Sequence, residues 1–309
     1  LFDLLTGPLR LPAIQPPTTH LGMFTSAIVG FGDTTVELIR FGEPPETPEE
    51  EAPARLWGIA FEPAHSLEES RRELDRRDLP RLSPQVFEMP DMAGGSSRMW
   101  TNLSVGLLEH TRRARAAFFI GRLFGGLQQR QMNRMVQKAS RGEEIRPIHE
   151  ERMDSMNDLV GHGLVFLTEY DPGFYDPTRG RVEGHRALQE ACGGSLGVQG
   201  IQEVIVGTRD IEVARSQWRR FFEPAPEVET GLWQPEGGPA LRLDPSGESR
   251  LRTLVLRVSS LVQAQGLLRS ERMLDEDAHG QTRIAPTTIG GLDIRLTDRN
   301  QSRGPTKKE

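Results

Sequence analysis

The chain has 309 residues, a net charge of -6, and 36% hydrophobic against 27% charged residues. That length gives room for two ordinary domains with cores of their own, and the mildly acidic balance gives no electrostatic reason to expect nucleic acid. The single cysteine, Cys192, excludes an intramolecular disulfide, and no apolar run reaches the roughly 18 residues needed to cross a bilayer, so the sequence reads as cytoplasmic.

In chain order, residues 1–7 read as the end of a repeat helix, which makes the first repeat incomplete. Residues 23–31 and 34–41 alternate like strands, and the Pro- and Glu-rich 43–51 reads as a linker. The β-rich run 56–62 passes through His65 and Ser66 into a helix over 67–74, followed by strands at 85–88, 98–105 and 164–170. Two further copies follow: 203–207 leads through Asp210 into a helix over 211–222, and 253–258 leads through Ser260 into a helix over 261–268. Strands at 240–243 and 292–297 come after those helices. Each helix begins at a Ser or Asp whose side chain can accept from the unpaired N–H groups of a first turn.

Three segments fall outside the repeat. Between about 109 and 160, Ile120, Leu123, Phe124, Leu127 and Met135 recur at helical spacing among Arg122, Arg130, Arg134 and Lys138. A packed surface helix or lid over the first domain's cavity, a protein-contact helix and a membrane-surface helix are the three readings of this insertion. Residues 171–200 are rich in Gly, Pro and charge and mark a boundary, and the polar 299–309 reads as a disordered tail.

Strand, cap, helix and up to three strands, repeated, together with the run His20 to Ile39 in which a strand ends at Gly32-Asp33 and the next carries Glu37-Leu38, resembles the vicinal oxygen chelate superfamily in its glyoxalase-like branch. The resemblance implies an α+β fold of tandem βαβββ modules forming two glyoxalase-like domains. Domain 1 would span 1–172, with modules 1 and 2 and the helical insertion. After a linker at 173–199, domain 2 would span 200–298, with modules 3 and 4 in degenerate form.

In such proteins two modules enclose a divalent metal, held by His on first strands and Glu on last strands. The resemblance therefore implies zinc, iron, manganese or nickel, with lyase, isomerase or dioxygenase chemistry on a small oxygenated, anionic metabolite. Glu37 and Glu169 match last-strand positions of the first two modules and stand as metal ligands or catalytic bases, with His20 beside them as a ligand. Each also has a plainer reading: strand acids facing solvent or a partner, and a surface histidine. The first-strand positions fall on Gly58 or Ile59, Glu203 and Thr253, and the last strands of domain 2 offer Arg242 and Asp293 or Arg295, which disfavours a metal there. Arg98 and Trp100 alternate on one strand and suit an anionic, partly aromatic ligand, or merely a half-exposed sheet face.

Competing chemistry is thin. His65 reads as a turn residue and His162 stays open; the sequence has no zinc-protease spacing, no phosphate-binding glycine loop and no Gly-x-Ser-x-Gly elbow. The expected partner is a small-molecule ligand, with a homodimer as a further expectation. A metal-free binding or sequestration protein of the resistance type, on the same scaffold, is the alternative from a different class.

Overall fold

The computed structural model describes residues 1–20, 24–41, 53–90, 96–106, 164–171, 193–277 and 279–298, with isolated positions between 116 and 141. Cys192, His162, most of the insertion, the greater part of the boundary segment and the tail lie outside the described residues.

The architecture is α+β, in tandem modules. Helix α1 (Phe2–Thr6) is followed by β1 (Ala13–His20), β2 (Phe24–Phe31) and β3 (Thr34–Phe41), which form an antiparallel sheet in that order. Strand β4 (Gly58–Phe61), helix α2 (Leu67–Arg76), β5 (Gln85–Pro90), β6 (Ser96–Val105) and β7 (Leu164–Tyr170) form a second sheet, in which β4 lies parallel beside β7. The remaining elements are β8 (Val198–Thr208), helix α3 (Ile211–Phe222), β9 (Leu232–Trp233), β10 (Ala240–Pro245), β11 (Arg250–Val258), helix α4 (Leu261–Ser270), β12 (Leu274–Glu276), β13 (Thr282–Ile284) and β14 (Asp293–Thr297). Their strands make one seven-stranded sheet ordered β12-β13-β14-β11-β8-β10-β9.

One rule recurs: the last strand of a module returns parallel to its first, as β7 does to β4, β10 to β8 and β14 to β11. A parallel return needs a crossover, and the intervening helix supplies it. Strand β3 pairs with β2, and among the described residues no strand lies parallel beside it.

Helix starts follow from the caps. The Ser66 side chain accepts from the Glu69 N–H while the Glu69 carboxylate accepts from the Ser66 N–H, a reciprocal box; Asp210 and Ser260 accept from Val213 and Gln263. Each helix then buries one stripe, such as Ala214, Gln217 and Trp218 of α3. These stripes join the sheets in a continuous core, from Leu5, Leu9, Val29 and Phe31 through Leu67, Leu103 and Val165 to Trp218, Leu256 and Ile294.

Contacts between modules are specific. Arg77, just past α2, donates to the carbonyls of Arg220 and Phe221 at 2.9 Å each, satisfying acceptors that the end of α3 leaves open. The turn after β2 meets the beginning of β8, where the Asp33 N–H donates to the Gln199 carbonyl at 3.1 Å.

One expectation needs correction. The sequence places His20 at the start of the strand leading to Phe31, whereas it ends a separate strand, β1. Pro16 and Pro17 disguise that strand; they are tolerated because β1 is a sheet edge and its pairing with β2 shifts register on both sides of Gln15. In the insertion, the described positions Ala116, Phe118 to Ile120, Arg130, Arg134, Gln137 and Lys138 are helical. Phe118 is 3% exposed and packs on Trp57, Leu82 and Phe166, fastening this segment to the second module.

Candidate functional site

The first sheet packs one face on the core; the other is termed the open face for the exposed Glu37 that it carries among the described residues. Ala27, Val29 and Phe31 of β2, with Val36 and Leu38 of β3, face the helix side; strand alternation puts Ser26 and Ile28 on the other. Ser26 stands opposite Thr18 of β1 and Ile39 of β3, so His20 and Glu37 are its diagonal neighbours, within reach of longer side chains.

The structure brings these three together. His20 Nε2 lies 2.8 Å from Ser26 Oγ, and Glu37 stands one cross-strand diagonal from Ser26 on the same face. Ser26 is 2% exposed, so its hydroxyl is a buried partner of His20 and not a surface group. Nothing in the sequence singles out a lone serine in a strand; only the cross-strand register reveals it.

Electrostatics tilt both Glu37 and His20 toward neutrality. Loss of solvent pushes the Glu37 carboxyl above its ordinary range, an effect that the nearby Ser26 hydroxyl partly offsets. Because the Glu37 side chain stays reachable by solvent while protein crowds around it, the upward push is smaller than full burial would give. Burial also lowers the His20 value, favouring the neutral imidazole.

Aromatic rings continue the face. His20 stacks on Phe24 at 4.9 Å, Phe24 meets Phe41 at 6.2 Å, Phe41 meets Trp57 at 5.6 Å, and Trp57 meets Phe166 at 6.0 Å. An apolar wall thus runs from the polar trio on the first sheet to the second sheet.

Glu169 lies elsewhere. It shares the alternation of Val165 and Leu167, the face of β7 that packs toward α2, and its Oε1 accepts from the Leu67 N–H at 2.8 Å. Its other oxygen accepts from Arg98 Nη2 at 3.1 Å. The residue of β7 on the opposite face is Thr168, whose hydroxyl bonds Asn102 Oδ1 at 2.9 Å. Trp100 stacks on Phe87 at 5.3 Å. His65 lies in the turn before α2, and Ile59 packs against the core.

In the seven-stranded sheet the corresponding positions hold salt bridges. Glu203, 4% exposed, takes Arg242 in a two-pronged pair at 2.7 and 3.2 Å. Thr253 donates to Asp293 at 2.7 Å, and Asp293 also accepts from Arg295 at 2.8 Å. A carboxylate occupied by a guanidinium on the same face is poorly placed to take a cation as well.

The metal ligands expected from the sequence, Glu37, Glu169 and His20, therefore do not converge. Among the described residues no group of three or more His, Cys, Asp or Glu side chains is placed to hold a metal ion. His20 and Glu37 alone supply two donors, fewer than the three protein ligands usual at catalytic zinc. The described residues thus do not fit the metal centre that the resemblance implies.

No family model matches the chain, and no curated protein matches it. Among solved structures it is similar to a hypothetical protein from Staphylococcus aureus, at 10% identity, with 93% of this chain and 90% of that one covered and a TM-score of 0.45. It is also similar to methylmalonyl-CoA epimerase from Mycobacterium tuberculosis, at 19% identity over 32% of this chain and 87% of that one, with a TM-score of 0.26. The chemistry of the open face rests on its own residues. No helix among the described residues is long and apolar enough to cross a membrane.

Proposed function

We propose that the open face of β1–β3 binds a small oxygenated molecule, with Glu37 accepting or returning a proton and the aromatic wall holding the apolar part of the ligand. The observation that carries this reading is the buried Ser26 hydroxyl 2.8 Å from His20 Nε2, with Glu37 diagonal to it on the same face. A carboxyl group pushed upward is a better base than an ordinary one once ionised, and the neutral imidazole on the same face is a second group able to bind a ligand hydroxyl.

Binding precedes chemistry in this reading. A protein that only sequesters its ligand would use the same face without the proton transfer.

The test is an NMR titration of the isotopically labelled protein with a panel of small hydroxy, oxo and carboxy compounds, repeated with Glu37→Gln. Shifts concentrated on β1–β3 and Trp57, and weakened in the variant, support the proposal. Shifts concentrated on the seven-stranded sheet would refute it.

A further inference from the structure

Charge is distributed unevenly along this chain. Between residues 110 and 142 there are eight Arg and Lys residues and no Asp or Glu, although the whole carries a net charge of -6. Helix α2 shows how the same protein solvates an ordinary charged helix. There Arg71 and Arg72 pair with Glu68, and Arg76 and Arg77 pair with Glu73, each partner three or four residues away.

The insertion has the cations without the acids. Arg130, Arg134 and Lys138 occupy helical positions spaced by four, which sets them on one face, and all three are exposed. Like charges at that spacing repel one another. The Arg141 N–H donates to the Lys138 carbonyl at 3.0 Å, so a helix end accounts for Lys138, a cation being favoured beside unpaired carbonyls; it does not account for Arg130, two turns earlier.

Earlier in the insertion an apolar pair faces outward. Phe118, Phe119 and Ile120 are all helical, and successive positions turn by about 100°. Phe118 is held against the second module, so its neighbours are turned away from it: Phe119 is 65% exposed and Ile120 53%. An aromatic and an aliphatic side chain held in water, in a segment whose charges are all positive, match the two layers of an anionic lipid surface, headgroup phosphates for the cations and the acyl boundary for the apolar pair. A nucleic acid would answer the cations through its phosphates and leave Ile120 in water.

We propose that the insertion docks this protein on an anionic membrane surface, with Arg130, Arg134 and Lys138 at the headgroups and Phe119 and Ile120 entering the outer acyl layer. The contact lies along the surface, since no helix among the described residues is long and apolar enough to cross. It is independent of the open face of β1–β3.

Co-sedimentation with vesicles decides it. The full chain is expected to pellet with phosphatidylcholine mixed about two to one with phosphatidylglycerol, not with phosphatidylcholine alone, and to be released as salt rises from ~0.1 M to ~1 M. Arg130→Gln, Arg134→Gln and Lys138→Gln together are expected to weaken binding about 100-fold, and Phe119→Ser with Ile120→Ser about tenfold. All five side chains are exposed, so both variants should keep the wild-type Trp57 fluorescence, which reports the Phe118 contact.

Failure to pellet with the anionic vesicles at ~0.1 M salt overturns the proposal. Undiminished binding by the triple variant, with its Trp57 fluorescence intact, overturns it as well. Tighter binding to a DNA duplex than to the anionic vesicles, unchanged by Phe119→Ser with Ile120→Ser, assigns the stripe to nucleic acid and overturns the lipid assignment.

Discussion

The Glu169 carboxylate holds the first turn of α2, accepting the Leu67 N–H at 2.8 Å from a strand 102 residues further along the chain. A second bond, from Arg98 at 3.1 Å, fixes the carboxylate from the other side. The arrangement ties the helix N-terminus to the last strand of its own module, where a negative charge is favoured.

Glu169→Gln should therefore cost stability and leave ligand binding alone. Losing a charged acceptor at a helix start is worth about 0.5–2 kcal/mol. Urea unfolding measures the cost, and an unchanged midpoint would argue against a helix-anchoring role.

Glu37→Gln should behave in the opposite way. A carboxyl whose folded value is raised destabilises the folded state once ionised: stability falls as pH rises from the ordinary value of 4.5 to the raised folded value, and is flat above it. The glutamine variant should be as stable as wild type or more so at neutral pH, and should lose that advantage below the ordinary carboxylate range. Unfolding midpoints across the acid range check this.

His20 titrates with the other sign. Its folded value lies below 6.5, so the folded state resists protonation, and stability is lost as pH falls from 6.5 toward the lowered folded value. His20→Gln should flatten the stability profile in that window alone. An unchanged slope would show that the imidazole is not desolvated as described.

Phe118 fastens the insertion to the second module. Phe118→Ala should cost about 3–5 kcal/mol if the site cannot collapse, and should shift Trp57 fluorescence because the two rings pack together. Gly106→Ala probes the same contact from the opposite side: an added Cβ would sit 2.8 Å from the Phe118 ring, an overpacking cost of about 1–3 kcal/mol.

Much of the fold is legible in the sequence because local signals agree. Ser66, Asp210 and Ser260 read as caps, and the helices begin one residue after each. Strand β1 does not read as a strand, since Pro16 and Pro17 argue against one unless its edge position is known. The two-residue β9 and three-residue β12 and β13 are too short to alternate visibly.

The candidate site is half legible. Glu37 stands out as an acid in an apolar strand, but the same criterion selects Glu169, because position within a module says nothing of side-chain parity. Counting by twos from Val165 and Leu167 puts Glu169 on the core side. Ser26 needs the register of three strands, and the Glu203–Arg242 pair needs two strands that are 39 residues apart in sequence at that point.

The most direct test of the account is a side-by-side titration of wild type, Glu37→Gln and Glu169→Gln with the panel of small hydroxy, oxo and carboxy compounds. The account predicts binding weakened about tenfold or more by Glu37→Gln and unchanged by Glu169→Gln, the loss expected when one charged acceptor is removed. Binding that survives Glu37→Gln intact, or is lost with Glu169→Gln while that variant remains folded, would contradict it.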